Sequence, residues 1–315
     1  MGPGMNAPAA TSTHNARRAL AGIGLRIGSA TLFSVMGVAL KLASEAGVTA
    51  PEMIFYRNAF ALPVVVAWAV FGPGLQAVKS RRPLAHLTRS GIGLVSMLFT
   101  FQALVLLPLA EATTITFSAP IFATILSALV LGEAVARHRW SAVLVGFVGI
   151  VIVARPGGSG HEIPLVGLAV ALAAAVGQAA VMITLRQIAT TESTVAIVWW
   201  FTILTTIAGA LTLPFFGQWH GWGIWPLLAL AGTAGGVAQC LMTGSLRLAP
   251  VAVVVPFDYL QMLWAILFGW LVWSDAPGWT VLAGAALIAA SGLYSAWREH
   301  RRGIRPATAD APPEV

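Results

Sequence analysis

The sequence predicts an all-α polytopic membrane protein, and three observations support that fold class. Only 9% of the 315 residues are charged, whereas soluble domains carry roughly 25%. Hydrophobic residues make up 58% of the chain, and its mean hydropathy is +0.83. Apolar stretches long enough to cross about 30 Å of hydrocarbon as a helix, about 20 residues each, recur almost without gaps. Such a chain has too little polar surface to face water, so its solvent is the lipid bilayer.

Ten of these stretches are predicted as transmembrane helices joined by short connections. Their approximate bounds are 21–43, 52–71, 87–107, 111–131, 139–155, 163–186, 193–214, 223–246, 250–272 and 278–297. Residues 1–20 and 299–315 are predicted as tails outside the membrane. The second tail is rich in proline and alanine, which predicts disorder.

The distribution of basic residues indicates which way the helices run. If the N-terminus is cytoplasmic, fifteen Lys and Arg residues fall in inner segments, Arg26 among them, and only Lys41 and Arg155 fall in outer loops. This positive-inside bias predicts that both termini are cytoplasmic; the expected location is a bacterial inner membrane. It also accounts for the net charge of +7 without nucleic acid as a partner.

The two halves of the chain resemble each other at an offset of about 140 residues. The stretch "LPLAEATTITFSAPIFATILSALVLGE" (107–133) matches the hydropathy of "LRLAPVAVVVPFDYLQMLWAILFGWLVWSD" (246–275), and each ends on an acid followed by a Gly-rich helix. The predicted repeats are residues 21–155 and 163–298. Each contains five spans, an odd number, so the second repeat must enter the membrane from the opposite side. Inverted repeats of this kind are typical of secondary transporters.

A proline interrupts the fourth span of each repeat. Pro120 lies about 13 Å from the outer end of its span and Pro256 about 10 Å from the inner end of the other, at 1.5 Å per residue. Both positions fall near the middle of the membrane. A proline leaves the carbonyl four residues earlier without its helical partner, and such groups persist only beside protein or a wet cavity. Matched helix breaks therefore indicate a binding site between the repeats.

These stretches also resemble a known family. "LAEATTITFSAPIFATILSALVLGE" and "PFDYLQMLWAILFGW" are similar to the drug/metabolite transporter superfamily, EamA type, over about residues 20–298. The stretch "RPLAHLTRSGIGLVSMLFTFQALVLLPLAEAT" further resembles a bacterial branch that includes riboflavin and S-adenosylmethionine transporters. The resemblance implies cytoplasmic termini, a central cavity between the repeats and alternating access. The motifs that carry the resemblance identify the fold rather than a particular substrate.

Asp258 is the carboxylate predicted deepest in the membrane. It lies about nine residues into its span, where a charge costs roughly 2.5–3.5 kcal/mol on insertion scales. Gln261 shares its helix face, Tyr259 lies on the adjoining face, and Arg57 of the second span is the expected partner. In one interpretation Asp258 binds a substrate amine or a coupling proton and Arg57 binds a substrate carboxylate or phosphate. In the other, the two residues form a fixed ion pair, or the Arg57 side chain extends to the outer membrane interface.

Other polar or aromatic side chains inside spans are further candidates for substrate contact. They are Asn58, Gln102, Gln178, Trp200 and Gln239. Each is equally compatible with a helix–helix hydrogen bond, or with packing in the case of Trp200. At the outer ends of the first two spans, Lys41 and Glu52 are expected to form a structural pair.

The predicted function is transport of a small organic metabolite, secondary active or facilitative, by alternating access. A channel, a receptor or an intramembrane enzyme is the alternative class. No catalytic set, phosphate loop or cofactor motif is found in the sequence, and its single cysteine, Cys240, provides no metal cluster. Riboflavin or S-adenosylmethionine uptake, export of an amino acid or other metabolite, and proton coupling all stay open. A monomer in the lipid bilayer is the expected form.

Overall fold

The computed structural model describes residues 8–130, 137–154, 163–249 and 251–303, and helices account for nearly all of them. The helices are α1 (Pro8–Glu45), α2 (Ala50–Phe71), α3 (Pro83–Leu106), α4 (Leu109–Thr116), α5 (Ala119–Val130), α6 (Arg137–Ala154), α7 (Leu165–Ile188), α8 (Thr194–Phe216), α9 (Trp225–Leu248), α10 (Val251–Val254), α11 (Leu260–Trp273) and α12 (Trp279–Gly303). Three short 3-10 turns accompany them at Leu75–Val78, Trp222–Ile224 and Val255–Tyr259.

The helices have the length and composition of membrane spans. Among the described residues, eight helical stretches are long and apolar enough to cross a bilayer, and two shorter apolar helices cover Trp140–Ala154 and Trp279–Ser295. The prediction of an all-helical, multi-pass membrane protein is therefore confirmed. Helix α1 begins at Pro8 and α12 continues to Gly303, so both helices extend into the segments predicted as tails. Residues 1–7 and 304–315 lie outside the described part of the chain.

Large apolar side chains cover the outside of the helix bundle as well as its core. The most exposed of them include Phe71, Leu129, Leu165, Phe215, Trp219, Trp222 and Trp279. The core cluster includes Leu40, Met53, Leu107, Ile115 and Leu228. A continuous apolar exterior of this kind is what a lipid solvent requires and what a water-soluble protein avoids.

The main helix contacts join the first half of the chain to the second. Helix α1 packs mainly on α9, α3 on α7, α2 on α8 and α9, and α6 on α12. Small residues allow these close approaches, as is common in membranes. A Cβ atom on Gly236 of α9 would lie 3.1 Å from the Cα of Ala61 in α2, and one on Gly149 of α6 would lie 3.0 Å from the carbonyl oxygen of Gly284 in α12. The helices of the two halves therefore pack closely against each other.

Two helix starts bring acidic side chains to the ends of the bundle. Thr49 caps α2, and its backbone amide and hydroxyl both donate to Oε2 of Glu52, at 2.8 and 2.9 Å. Ser193 caps α8, where its hydroxyl oxygen accepts from the Ala196 amide at 3.0 Å and the preceding residue is Glu192. Capping by such residues satisfies amides that have no partner within the helix.

The chain leaves α-helical geometry beside both prolines. Helix α4 ends at Thr116 and α5 begins at Ala119, one residue before Pro120. In the second half, the 3-10 turn Val255–Tyr259 contains Pro256 and separates α10 from α11. Each interruption places polar backbone and side chains where a continuous helix would present an apolar surface.

Candidate functional site

Asp258 forms an ion pair that crosses between the two halves of the protein. The Nε of Arg26 donates to Asp258 Oδ1 at 2.5 Å, and Nη2 of the same guanidinium donates to Oδ2. A weaker contact runs from Arg26 Nη1 to the carbonyl oxygen of Met242, at 3.5 Å. Only 7% of the Arg26 side chain and 25% of the Asp258 side chain are exposed. This two-pronged geometry is the strong form of arginine–carboxylate contact, and it ties α1 to the broken helix.

The prediction that Arg57 pairs with Asp258 is therefore wrong. Arg26, which was counted with the inner basic residues, is buried in the bundle, with 6% of the residue exposed. The 3-10 turn at Pro256 aims Asp258 at α1, and helix packing rather than helix pattern determines which arginine it meets. The expected pair of Lys41 and Glu52 does not form either. Lys41 donates to the carbonyl oxygens of Leu104 and Leu107, at 2.9 and 3.1 Å.

Arg57 is buried without a carboxylate partner in the described part of the chain. Its Nη1 donates to Oδ1 of Asn58 at 2.8 Å, and Nδ2 of Asn58 donates to the Ile54 carbonyl at 2.7 Å. Arg57 is 6% exposed, and its Nε has no hydrogen-bond acceptor. A Cβ atom on Gly235 of α9 would lie 3.1 Å from that Nε. The guanidinium thus lies where α2 meets α9.

Tyr259 points away from its neighbour Asp258. Its ring lies 5.8 Å from the ring of Phe117, measured between centroids, and its hydroxyl lies against Gly292 of α12. A cavity of about 30 Å³ lies beside it, lined by Pro120 and Ser291 among others. Metabolite sites usually measure about 300–1,000 Å³, so this space accommodates water and no substrate. Tyr259 therefore packs one proline break against α12.

The other candidates are distributed over several helices. The four glutamines are half-buried, namely Gln102 in α3, Gln178 in α7, Gln239 in α9 and Gln261 in α11. Trp200 donates its indole N–H to the carbonyl oxygen of Val78, at 3.0 Å, and its ring lies 6.2 Å from that of His86. Trp200 thus holds the loop before α3, a role in packing.

A buried carboxylate at one end of the bundle was missed by the sequence reasoning. Oε1 of Glu192 accepts the backbone amides of Arg81 and Arg82, at 2.8 and 2.7 Å, and Oε2 lies 3.4 Å from Nε2 of His86. Burial by itself raises the pKa of the Glu192 carboxyl, but the Arg81 amide, His86 and the Arg82 amide together bring it below its ordinary value. The signal available in the sequence was an acid beside a helix cap, in "TTEST".

A similar cluster lies at the opposite end of the bundle. It forms at Glu52, at the start of α2, whereas Arg81 follows the end of α2, and this helix is about 33 Å long at 1.5 Å per residue. Oε1 of Glu52 is 2.8 Å from Nε2 of His220 and accepts the Gln218 amide at 2.8 Å. In both clusters, an acid at the start of the second helix of one half holds the loop before the third helix of the other half. In the sequence, His86 and His220 lie near span ends, and only the packing of the helices determines which acid each one contacts.

Arg89 is a third buried arginine; its Nε and Nη1 have no hydrogen-bond acceptor, but it contacts an aromatic ring. Its guanidinium carbon lies 4.4 Å from the centre of the Phe201 ring, a cation–π contact that joins α3 to α8. As for metals, the described residues contain no group of three or more His, Cys, Asp or Glu side chains that would hold an ion.

The sequence is similar to a described family of membrane proteins over nearly its whole length. The profile of the EamA-like transporter family matches residues 20–155 and again residues 165–296. The riboflavin transporter of Rhizobium johnstonii is 32% identical over 234 residues, which is 74% of this chain and 77% of that protein. The S-adenosylmethionine uptake transporter of Rickettsia felis is 24% identical, over 79% of this chain and 84% of its own.

Two further similarities extend this picture. The pseudopaline exporter of Pseudomonas aeruginosa is 26% identical over 273 residues, covering 85% of this chain and 93% of that protein. A solved crystal structure aligns over 89% of this chain and 98% of its own, with a TM-score of 0.65 and 20% identity. At that identity the structural match concerns the fold alone.

Proposed function

Because the chain belongs to the EamA-like transporter family, within the drug/metabolite transporter superfamily, we propose that it moves a small organic metabolite across the bacterial inner membrane by alternating access. The observation that carries the proposal is the ion pair between Arg26 and Asp258, buried beside a helix break in an apolar bundle. Ionisable groups inside a membrane are expensive to keep and mark substrate or ion pathways.

The architecture we propose is ten spans arranged as two inverted repeats, with both termini in the cytoplasm. The helix pairing supports it, because α1 with α9 and α3 with α7 are equivalent contacts once the halves are exchanged. The clusters at Glu52 and Glu192 support it in the same way, since each half holds a loop of the other at the opposite end. A carrier of this kind is complete in one chain, so the proposed form is a monomer.

In the proposed cycle, the repeats rock about a midplane site near the two breaks. The Arg26–Asp258 pair connects the first helix of one half to the broken helix of the other. Rocking that separates these helices must break the pair, and a competing cation on Asp258 lowers the cost of doing so. That cation is either a substrate amine or a proton, which makes a substrate gradient or the proton gradient the driving force.

The names of the relatives give the cargo to test first. Riboflavin and S-adenosylmethionine are the first molecules to measure for uptake, because two similar proteins are named for them. Pseudopaline export by another relative gives the opposite direction. Inverted repeats operate in both directions, so the sign of the flux is a result of the experiment.

The test is paired intracellular and extracellular metabolomics on cells that overexpress the protein. Four proteins are compared at equal membrane levels: wild type, Asp258→Asn, the double variant Arg26→Gln with Asp258→Asn, and Asp275→Asn. The last is the matched control, because Asp275 lies exposed just after α11. Wild type and control are expected to redistribute the same metabolite, while Asp258→Asn inserts normally and does not.

The double variant distinguishes a binding role of Asp258 from a purely structural one. If Asp258 only pairs with Arg26, removing both charges restores flux; if Asp258 binds cargo or a proton, flux stays absent. Wild-type flux in Asp258→Asn would eliminate both roles for this carboxylate. A wild-type protein that redistributes nothing, relative to cells without it, would contradict transport itself.

A further inference from the structure

We propose that Arg57 binds the carboxylate of the transported molecule, so that the cargo of this protein belongs to the carboxylic acids. Of the two molecules for which similar proteins are named, S-adenosylmethionine carries a carboxylate and riboflavin does not, so uptake of riboflavin would count against this inference. The proposal rests on the proposed transport function and names the substrate class for it. Its basis is a guanidinium that the protein buries, orients and leaves without a counter-charge among the residues the structure describes.

The orientation of Arg57 leaves part of the guanidinium without an acceptor. Nη1 is used by Asn58, at 2.8 Å, whereas Nε has no acceptor. Nε and Nη2 together form one edge of the guanidinium. Arg26 uses the same two atoms for the carboxylate of Asp258 in this protein. A planar carboxylate matches that fork with two parallel hydrogen bonds.

Helix α9 packs against this edge at Gly235. A Cβ atom on Gly235 would lie 3.1 Å from Nε of Arg57, 3.4 Å from Nη2 and 2.7 Å from Sδ of Met36. Any larger side chain at this position would press on the guanidinium and displace Met36, so glycine is needed for this close approach. Because Nε is itself buried, a carboxylate reaches this edge only when α9 and α2 separate during the proposed cycle.

The position of Arg57 is central to the bundle. Met36 comes from α1 and Gly235 from α9, and Nδ2 of Asn58 lies 3.6 Å from Sδ of Met97 in α3. Helices of both halves therefore surround the guanidinium. Arg57 is the eighth residue of α2, about 11 Å from its start at 1.5 Å per residue, and only 6% of it is exposed. Its charge does not reach the membrane surface.

Two acids that could have paired with Arg57 are already engaged. Asp258 is held by Arg26, and Glu52, five residues earlier on α2, is bonded to His220 and to the Gln218 amide. A buried cation without an anion is costly, and a protein that needed only packing here would use an apolar residue. Retaining the arginine is explained if the cargo brings the anion.

The first experiment uses simple acids as probes and does not require the cargo to be identified. Purified wild type, Arg57→Met, Arg57→Lys and Arg89→Met are melted in detergent, alone and with carboxylates paired with their primary amides: acetate with acetamide, succinate with succinamide, L-phenylalanine with L-phenylalaninamide. Arg89→Met is the comparison variant, since it also removes a buried arginine. The guanidinium carbon of Arg89 lies 4.4 Å from the centre of the Phe201 ring, and its Nε and Nη1 have no hydrogen-bond acceptor, so this variant tests whether any buried arginine has the same effect. We expect Arg57→Met alone to melt higher than wild type, because it removes an unpaired charge. A lower melting temperature would make Arg57 structural and overturn the proposal.

Ligand dependence gives the second criterion. At least one acid should raise the melting temperature of wild type and of Arg89→Met more than its amide does, and Arg57→Met should lose this preference. Equal shifts for every acid and its amide in wild type would overturn the proposal.

The second experiment measures transport in proteoliposomes loaded with the water-soluble metabolites of the host cell, followed by mass spectrometry. Wild type should release carboxylic acids, Arg57→Met should release them more slowly by more than about tenfold, and Arg57→Lys should fall between, because lysine keeps the charge without the fork. If wild type and Arg57→Met release the same uncharged molecules equally, transport stands and this inference fails. If wild type releases no more than empty liposomes, the proposed function fails as well.

Discussion

Replacing Glu192 by glutamine tests the end cluster that holds the loop before α3. The substitution keeps the shape of the side chain and removes its charge. In wild type, Oε1 accepts the amides of Arg81 and Arg82, at 2.8 and 2.7 Å, and Oε2 lies 3.4 Å from His86 Nε2. The side chain of Glu192 is 1% exposed, so water does not replace what is lost.

The expected loss follows from these contacts. A hydrogen bond to a charged group contributes about 1.5–3 kcal/mol and a neutral one about 1 kcal/mol. The glutamine carbonyl still accepts both amides, so each bond loses only the difference. Together with the contact to His86, we expect the free energy of unfolding to fall by about 1–3 kcal/mol at neutral pH.

The assay is unfolding of purified protein in mixed micelles by increasing SDS, followed by circular dichroism at neutral pH. Asp275→Asn is the control for loss of one exposed carboxylate and should change the unfolding free energy by less than about 0.5 kcal/mol. If Glu192→Gln unfolds with the free energy of wild type, the cluster contributes nothing to stability. The reasoning from its hydrogen bonds would then be refuted.

Three further predictions concern other parts of the bundle. Arg26→Met and Asp258→Leu should each lower the free energy of unfolding by about 3–5 kcal/mol, whereas the double variant should have a free energy of unfolding close to that of wild type. Additive losses in the same SDS assay would argue against coupling between the two charges. Gly236→Leu should lower the melting temperature by forcing α9 away from α2, because even an added Cβ would lie 3.1 Å from a backbone carbon of α2. Gly91→Ala should not lower it, because nothing lies within 4 Å of the added Cβ. Equal melting temperatures of the two variants would contradict this packing. The pKa of Glu192 is lower in the folded protein than its ordinary 4.5. The stability that the Glu192 carboxylate contributes is therefore complete above pH 4.5 and is lost as the pH falls through the folded pKa. The stability of Glu192→Gln should decline less steeply than that of wild type as the pH falls, which melting at a series of pH values measures.

The helices and their breaks were accessible from the sequence because they depend on local properties. Runs of apolar residues predict spans, since a helix in lipid satisfies its own backbone groups. Pro120 and Pro256 predict interruptions because proline lacks the amide that helix continuation requires. The structure leaves α-helical geometry beside both residues.

The partners of the charged residues were not accessible in this way. Arg57 was the plausible partner for Asp258 because both lie inside predicted spans, yet Arg26 holds that carboxylate from 232 positions away. The missed contact of Glu192 with the Arg81 amide spans 111 positions. Such pairs depend on how helices rotate and pack against each other, and a single sequence does not encode that geometry in a local pattern.

The sequence by itself determined that this chain is a helical membrane protein and which family it resembles, because hydropathy and motif order act over short stretches of chain. The tertiary structure decided which charges of the described residues neutralise each other and which stay without a carboxylate. Arg26 and Asp258 form a pair, the acids at the two bundle ends hold loops and histidines of the opposite half, and Arg57 stays buried with a free Nε. In lipid, an ion pair forms only where packing brings both charges within reach.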